Sequence, residues 1–66
     1  MRIDQALANN NQGVTRIEFR EVETRKGKGW CFDAYFNREF PSFISAPVKT
    51  NTGIVRNAIR YLTTGK

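Results

Sequence analysis

Apolar residues recur at two different periods along this chain of 66 residues. From residue 30 to residue 37 every second residue is apolar, which predicts a strand with one buried face. The alternating residues are Trp30, Phe32, Ala34 and Phe36. From residue 54 to residue 62 the apolar residues form one stripe at helical spacing. The stripe contains Ile54, Val55, Ala58, Ile59 and Leu62. Because each apolar face needs a cover, we expect the helix to pack on one side of a sheet.

A second alternating segment, residues 14–24, precedes a short basic stretch that contains two glycines. Together these segments predict a β-hairpin, because glycine supplies the positive φ that tight turns need. A turn near Lys26 and Gly27 brings the apolar faces of the two strands into coincidence, as a correct register must. The neighbours predicted by this register are Phe19 and Ala34, Ile17 and Phe36, Arg20 and Asp33, and Glu18 and Tyr35.

Residues 40–48 predict a third strand that lies at an edge or is interrupted. Pro41 and Pro47 lack the N–H group that a central strand donates to its neighbours. The alternation in this segment does not decide which side chains face the core. Residues 50–52 then offer three candidate N-caps for the C-terminal helix, and Gly65 is a plausible end for it.

The N-terminal segment, residues 3–9, predicts a short helix that is capped by Asp4 and docked through Ile3 and Leu7. The asparagine-rich residues 9–13 end it, because Asn and Gly favour turns. A helix of this length is not stable alone in water. A frayed tail is therefore the alternative for residues 1–13.

The predicted fold class is α+β, with a short N-terminal helix, a three-stranded antiparallel β-meander and a C-terminal helix on one sheet face. Residues 1–66 form a single small basic domain. A core of this size rarely supplies more than ~3–5 kcal/mol. Cys31 is the only cysteine and there is no histidine, so neither a disulfide nor a zinc site is expected to add stability. Self-association can supply it instead, and an edge strand in residues 40–48 would suit a homodimer.

Positive charge is concentrated in the C-terminal part of the chain. The sequence holds 11 Lys and Arg against 6 Asp and Glu, a net charge of +5. All six acidic residues lie before residue 40, so residues 1–39 carry +1 and residues 40–66 carry +4. The bases of that second segment are Lys49, Arg56, Arg60 and Lys66. A local excess of one sign attracts polyanions more strongly than the same charge spread evenly.

The residues of familiar catalytic sites are missing from the sequence. There is no imidazole base, and Cys31 has no evident activating partner. The carboxylates fall on a predicted surface strand or opposite arginine, and a chain this short offers little concavity for a substrate. We therefore predict a protein that is not an enzyme and has no cofactor or metal. The lone cysteine, with no signal peptide and no apolar span, predicts a cytoplasmic protein without membrane contact.

Three groups of residues are candidates for nucleic-acid binding. Bases on a flexible hairpin can reach phosphates, an aromatic side chain among bases can stack on an unpaired base, and like charges one turn apart on a helix are relieved by an anionic partner. The candidates are Arg25, Lys26 and Lys28 at the hairpin tip; Arg16, Arg20 and Tyr35 on the outer sheet face; and Arg56 and Arg60 on the helix.

Each group also has an ordinary structural explanation. Surface turns are commonly polar and rich in lysine. On the outer sheet face, Glu18 and Asp33 can neutralise both arginines, and a salt-bridged solvent face is favoured there. On the helix, an acid elsewhere in the fold or the helix dipole can compensate for Arg56 and Arg60. The apolar row that begins at Trp30 is interpreted as core rather than as a ligand platform.

Three strands with a basic hairpin, followed by a C-terminal helix, form an arrangement shared by several small nucleic-acid binders. The stretch 17–62 resembles in outline single-strand binders of the purine-rich-element or coactivator type. The resemblance is based on residues 24–28 at the hairpin tip and on the helix stripe of residues 54–62. The same stretch also resembles the arm-site DNA-binding domain of tyrosine-family integrases, and small antitoxins share the topology. The resemblance is one of topology and assigns no family.

The sequence favours non-catalytic binding of nucleic acid, DNA or RNA, through phosphate contacts from the hairpin and the C-terminal helix. The alternative is a small adaptor or inhibitor protein, phage- or plasmid-borne, that binds an acidic protein surface. Homodimer formation is compatible with either function.

Overall fold

The computed structural model describes residues 2–65 and has the predicted α+β architecture. Helix α1 comprises Ile3–Asn9 and helix α2 comprises Asn51–Thr64. Strand β1 comprises Arg16–Thr24, strand β2 Gly27–Tyr35 and strand β3 Phe43–Ile44. The strands form an antiparallel sheet in the order β1-β2-β3. Neither helix within these residues has the length and apolarity to cross a lipid bilayer.

One core joins the inner face of the sheet to both helices. Its buried members are Ala6, Val14, Phe32, Ala34, Ile54, Ala58 and Leu62. The three that come from α2 are spaced four residues apart, so the stripe predicted from the sequence is the buried face of this helix. Phe32 and Ala34 of β2 lie against it, which confirms the predicted packing of the C-terminal helix on one sheet face.

Both ends of α2 have the hydrogen bonds that stop a helix cleanly. Thr50 is the N-cap, and its Oγ1 accepts a hydrogen bond from the N–H of Gly53 at 3.0 Å. Gly65 adopts φ +78° after the last turn, and its N–H donates to the carbonyl oxygen of Tyr61 at 2.8 Å. The predicted start and end of this helix are thus confirmed.

Helix α1 is present over the predicted residues, but its cap differs from the prediction. Asp4 lies inside the first turn rather than at the cap, because the helix already begins at Ile3. The N–H of Arg2 donates to Gln5 Oε1 at 3.4 Å instead. The following segment is held against α2, since Gln12 Nε2 donates to two carbonyl oxygens of the last turn of α2 at 3.0 Å each.

The hairpin forms with a register that differs by two residues from the predicted one. Thr24 pairs with Gly27 across a two-residue loop, so Phe19 lies opposite Phe32 and Ile17 opposite Ala34. The turn is therefore one residue earlier than expected, and Gly27 takes the positive φ of +111° that follows it. A shift of two residues keeps every side chain on its predicted face, because the side-chain period of a strand is two.

The third strand is much shorter than predicted. Only Phe43–Ile44 is a strand, and Val48 forms a single bridge to Trp30 further along. Phe43 pairs with Ala34 on the inner face and Ile44 with Asp33 on the outer face. Continuing that register would put residue 47 opposite Trp30, so the segment accommodates one extra residue before the bridge. Proline at position 47 cannot donate to the ladder, which is the physical reason for the interruption.

Candidate nucleic-acid interface

On the outer face of the sheet, the side chains of Arg16, Glu18 and Tyr35 contact one another. Tyr35 is buried, and the guanidinium of Arg16 lies over its ring at 4.0 Å from the centroid. Arg16 Nε also lies 3.2 Å from Glu18 Oε2. The Tyr35 hydroxyl donates a hydrogen bond to Glu18 Oε1 at 3.2 Å. The charge of Arg16 is thus paired with that of Glu18, and the Tyr35 hydroxyl has Glu18 as its hydrogen-bond acceptor.

A second ion pair occupies the middle of the same face. Arg20 Nε donates to both carboxylate oxygens of Asp33, at 3.2 and 3.0 Å. Asp33 is only 6% exposed, and a carboxylate that deep in a protein needs a paired and hydrogen-bonded partner. The hydrogen bond to Asp33, with the attraction of its charge, raises the pKa of Arg20 above its usual value.

The two arginines of the outer face therefore each contact a carboxylate, and the four side chains sum to zero formal charge. The contact between Arg20 and Asp33 is diagonal in the true register, where Arg20 lies opposite Cys31, whereas Arg16 and Glu18 are two residues apart on β1. Diagonal neighbours in a sheet remain within reach of long side chains. The geometry matches the structural alternative of a salt-bridged face, and nucleic-acid binding by Arg16, Arg20 and Tyr35 stays a prediction.

The hairpin tip, in contrast, borders a cleft lined by bases. The cleft has a volume of about 400 Å³ and lies between the tip and residues 47–49. Four of its lining residues are basic and none is acidic; the four are Arg25, Lys26, Lys28 and Lys49. We call this site the basic cleft.

Backbone contacts of β2 explain why Lys49 reaches the hairpin. Trp30 and Val48 exchange two backbone hydrogen bonds, at 2.7 and 2.8 Å, which hold the chain after β3 against the hairpin. Gly29 permits this approach, since a Cβ at that position would lie 3.1 Å from the Val48 carbonyl oxygen. The Thr24 hydroxyl accepts from the N–H of Lys26 at 3.2 Å and so orders the loop.

The bases of the cleft have no carboxylate partner among residues 2–65. The ion pairs in that part of the chain are Arg2 with Asp4, Arg16 with Glu18, and Arg20 with Asp33. Glu23 is the cross-strand neighbour of Lys28, yet the two charges do not form an ion pair. A fourth base, Lys49, joins the three bases of the tip from a distant part of the sequence.

The two helix arginines lie differently with respect to this cleft. Both are exposed. Arg60 borders a second groove, of about 240 Å³, between α2 and residues 43–48. Of residues 2–65, Val48 is the one that lines both this groove and the basic cleft. Arg56 lies one helical turn before Arg60 and lines neither site.

The structure thus brings together part of the predicted set. The hairpin bases meet in one cleft, and Arg60 lies at the adjacent groove. Arg16, Arg20 and Tyr35 lie on the outer face of the sheet, away from α2. Sequence reasoning missed Lys49 as a site residue, although it counted Lys49 in the acid-free segment. The excess of bases in residues 40–66 was the one sequence signal that included Lys49. No local pattern links position 49 to a hairpin some twenty residues earlier.

No group of three or more His, Cys, Asp or Glu side chains in residues 2–65 is placed to hold a metal ion. No protein-family model matches the chain, and comparison with curated proteins and with solved structures finds no match either. A functional assignment for this chain therefore depends on the chemistry of its own residues.

Proposed function

We propose that this protein binds nucleic acid without catalysing a reaction, and that it contacts phosphates in the basic cleft. The observation that carries the proposal is the meeting of four bases at one cleft with no carboxylate in ion-pair contact within residues 2–65. Bringing like charges together costs free energy, and a bound polyanion removes that cost. Lysine and arginine are the side chains with which proteins hold phosphates.

Two further bases extend the cationic surface beyond the cleft. Arg60 borders the adjacent groove, and Arg56 is exposed one turn earlier on the same helix. The outer-face residues Arg16, Arg20 and Tyr35 add less to phosphate binding, because Glu18 and Asp33 offset their charge. The interface proposed here is therefore centred on the hairpin tip.

Titration of labelled single- and double-stranded oligonucleotides at several salt concentrations tests the proposal. Each phosphate neutralised by a base changes the slope of log affinity against log salt by about −0.7 for a single strand and −0.9 for a duplex. Four contacts, one for each base of the cleft, predict a slope of roughly −3 to −4. Fluorescence anisotropy gives the affinity at each salt concentration.

A triple variant serves as the matched comparison. Lys26→Gln, Lys28→Gln and Lys49→Gln remove three of the four charges from exposed positions, so circular dichroism should be unchanged. The expected slope then falls to roughly −1. Absence of binding at low salt, or an affinity indifferent to salt, would remove the proposal.

A protein partner with an acidic surface is the second candidate, and exposed apolar side chains favour it. Phe40, three residues before the short edge strand, is 75% exposed, and Ile44, within that strand, is 55% exposed. Apolar side chains of this kind are typical of protein contacts. Pull-down from nuclease-treated lysate separates the two candidates, because a protein partner survives the treatment and a nucleic-acid association does not.

A further inference from the structure

The groove between β3 and α2 contains a pair of stacked aromatic rings. The rings of Phe43 and Tyr61 lie 4.6 Å apart, with 12° between their planes. Phe32 is buried beside them, with its ring 5.7 Å from that of Phe43 and 5.6 Å from that of Tyr61. Phe43 is 37% exposed, so the stack is backed by the core and reaches the surface. We call this site the aromatic groove.

Polar groups with unused hydrogen-bonding capacity border the same groove. Asn57 and Arg60 line it from α2. Within residues 2–65, neither side chain makes a hydrogen bond or ion pair, and the Tyr61 hydroxyl makes none. An amide and a guanidinium beside a stacked ring pair can hydrogen-bond the edge of a flat heterocycle that lies against the rings.

The size of the groove limits what can enter it. Its volume of about 240 Å³ is below the roughly 300–1,000 Å³ of pockets that hold drug-sized ligands. One planar ring system suits this space better than an extended ligand. The basic cleft for phosphates shares the lining residue Val48 with this groove.

We propose that the aromatic groove binds one unpaired nucleobase, which makes this protein a single-strand binder; the proposal rests on the nucleic-acid function proposed above. A base exposes its face to a protein ring only when it is unstacked from its neighbours, as in single strands, loops and ends. Phosphates in the basic cleft would hold the strand while one base lies against Phe43 and Tyr61.

A second copy of the chain is the competing occupant, because β3 is a sheet edge with exposed apolar residues. Charge disfavours it. Each copy carries +5, and Arg60 lines this surface, so pairing two such surfaces brings like charges together. A polyanionic strand is attracted by the same positive charge, and it is therefore the occupant that we expect in the groove.

Three ligands of equal length test the inference at one salt concentration: a single-stranded oligonucleotide, the same backbone with abasic sites, and a duplex. Base–aromatic stacking is expected to make the base-bearing strand bind about 5- to 150-fold more tightly than the abasic strand. The duplex is expected to bind more weakly than the base-bearing strand. Anisotropy with labelled ligands gives each ratio.

A pair of matched variants separates stacking from general surface effects. Phe43→Leu removes the ring from the groove but keeps an apolar side chain, and should abolish most of the preference for bases without changing the salt slope. Phe40→Leu alters a more exposed phenylalanine outside the groove and should leave the preference intact. Asn57→Ala keeps the whole aromatic stack and should weaken only the base-bearing strand, so the test survives any folding defect of Phe43→Leu.

Equal affinity for the abasic and base-bearing strands would overturn this inference while leaving phosphate binding in place. The same result follows if Phe43→Leu and Phe40→Leu behave alike, if the duplex binds most tightly, or if sedimentation shows a dimer that Phe43→Leu dissociates. Failure of every oligonucleotide to bind at low salt is a different outcome, because it removes the nucleic-acid function itself.

Discussion

Two substitutions that remove the same charge from different places give the sharpest test of the basic cleft. Lys49→Gln removes a base that lines the cleft, and Arg38→Gln removes one from the turn that follows β2. Both positions are exposed, and each variant lowers the net charge from +5 to +4. A difference between the variants therefore reports where the charge lies and not how much charge the protein carries.

The length of β2 sets the distance between the hairpin tip and the turn that contains Arg38. Strand β2 runs from Gly27 at the hairpin to Tyr35 near the turn. Its eight steps of about 3.3 Å separate the two ends by roughly 26 Å. The Debye length is about 10 Å at 0.1 M salt, so a charge at Arg38 is largely screened from a ligand at the tip.

Loss of one phosphate contact should reduce the magnitude of the salt slope by about 0.7 for a single strand, which at 0.1 M salt weakens binding about 5-fold. We expect this change for Lys49→Gln and none for Arg38→Gln. Anisotropy titrations of both variants at four or more salt concentrations, beside the unchanged protein, measure it. Equal effects of the two variants would show that net charge alone attracts the ligand, and an unchanged slope for Lys49→Gln would refute the assignment of Lys49 to the interface.

Two further predictions concern stability. Ile54 is fully buried, so Ile54→Ala should lower the free energy of unfolding by about 2–5 kcal/mol. That loss is comparable with the whole stability of ~3–5 kcal/mol expected at this length, so this variant should lack cooperative unfolding in urea. Ile54→Val should cost about 0.5–1.5 kcal/mol and should still unfold cooperatively. If both variants unfold like the parent protein, the core assignment is wrong. Thr50→Ala removes the N-cap hydrogen bond with Gly53 and should lower the free energy of unfolding by about 1 kcal/mol. Thr52→Ala removes no hydrogen bond within residues 2–65 and should cost less. Equal losses for the two variants would contradict the assignment of Thr50 as the N-cap.

The faces of the strands could be predicted from the sequence, whereas their pairing could not. Alternation places Phe19 and Phe32 on the apolar side in any register that differs by an even number of residues. The loop length decides among those registers, and the observed loop closes at Thr24 and Gly27. Two nearby glycines, at positions 27 and 29, were both compatible with a turn, so the local sequence left the choice open.

The residues of the candidate site likewise divide into those that the sequence predicts and those that only the structure shows. The hairpin bases were predicted because they are adjacent in sequence, and the helix arginines because they repeat at one turn. Lys49 and Phe43 were missed as site residues because their roles come from contacts between distant segments. The bridge between Trp30 and Val48 brings Lys49 to the hairpin, and pairing with Ala34 turns Phe43 toward Tyr61.

The sequence by itself determined the α+β class, the apolar face of each main element, the limits of α2 and the uneven charge, since all of these follow from local periodicity, capping residues and composition. The tertiary structure alone decided the strand register, the short β3, the burial of Cys31, Asp33 and Tyr35 on the outer face, and the meeting of Lys49 with the hairpin bases. These features depend on side chains far apart in the chain, and their free energies are set by packing and charge pairing that no local pattern encodes.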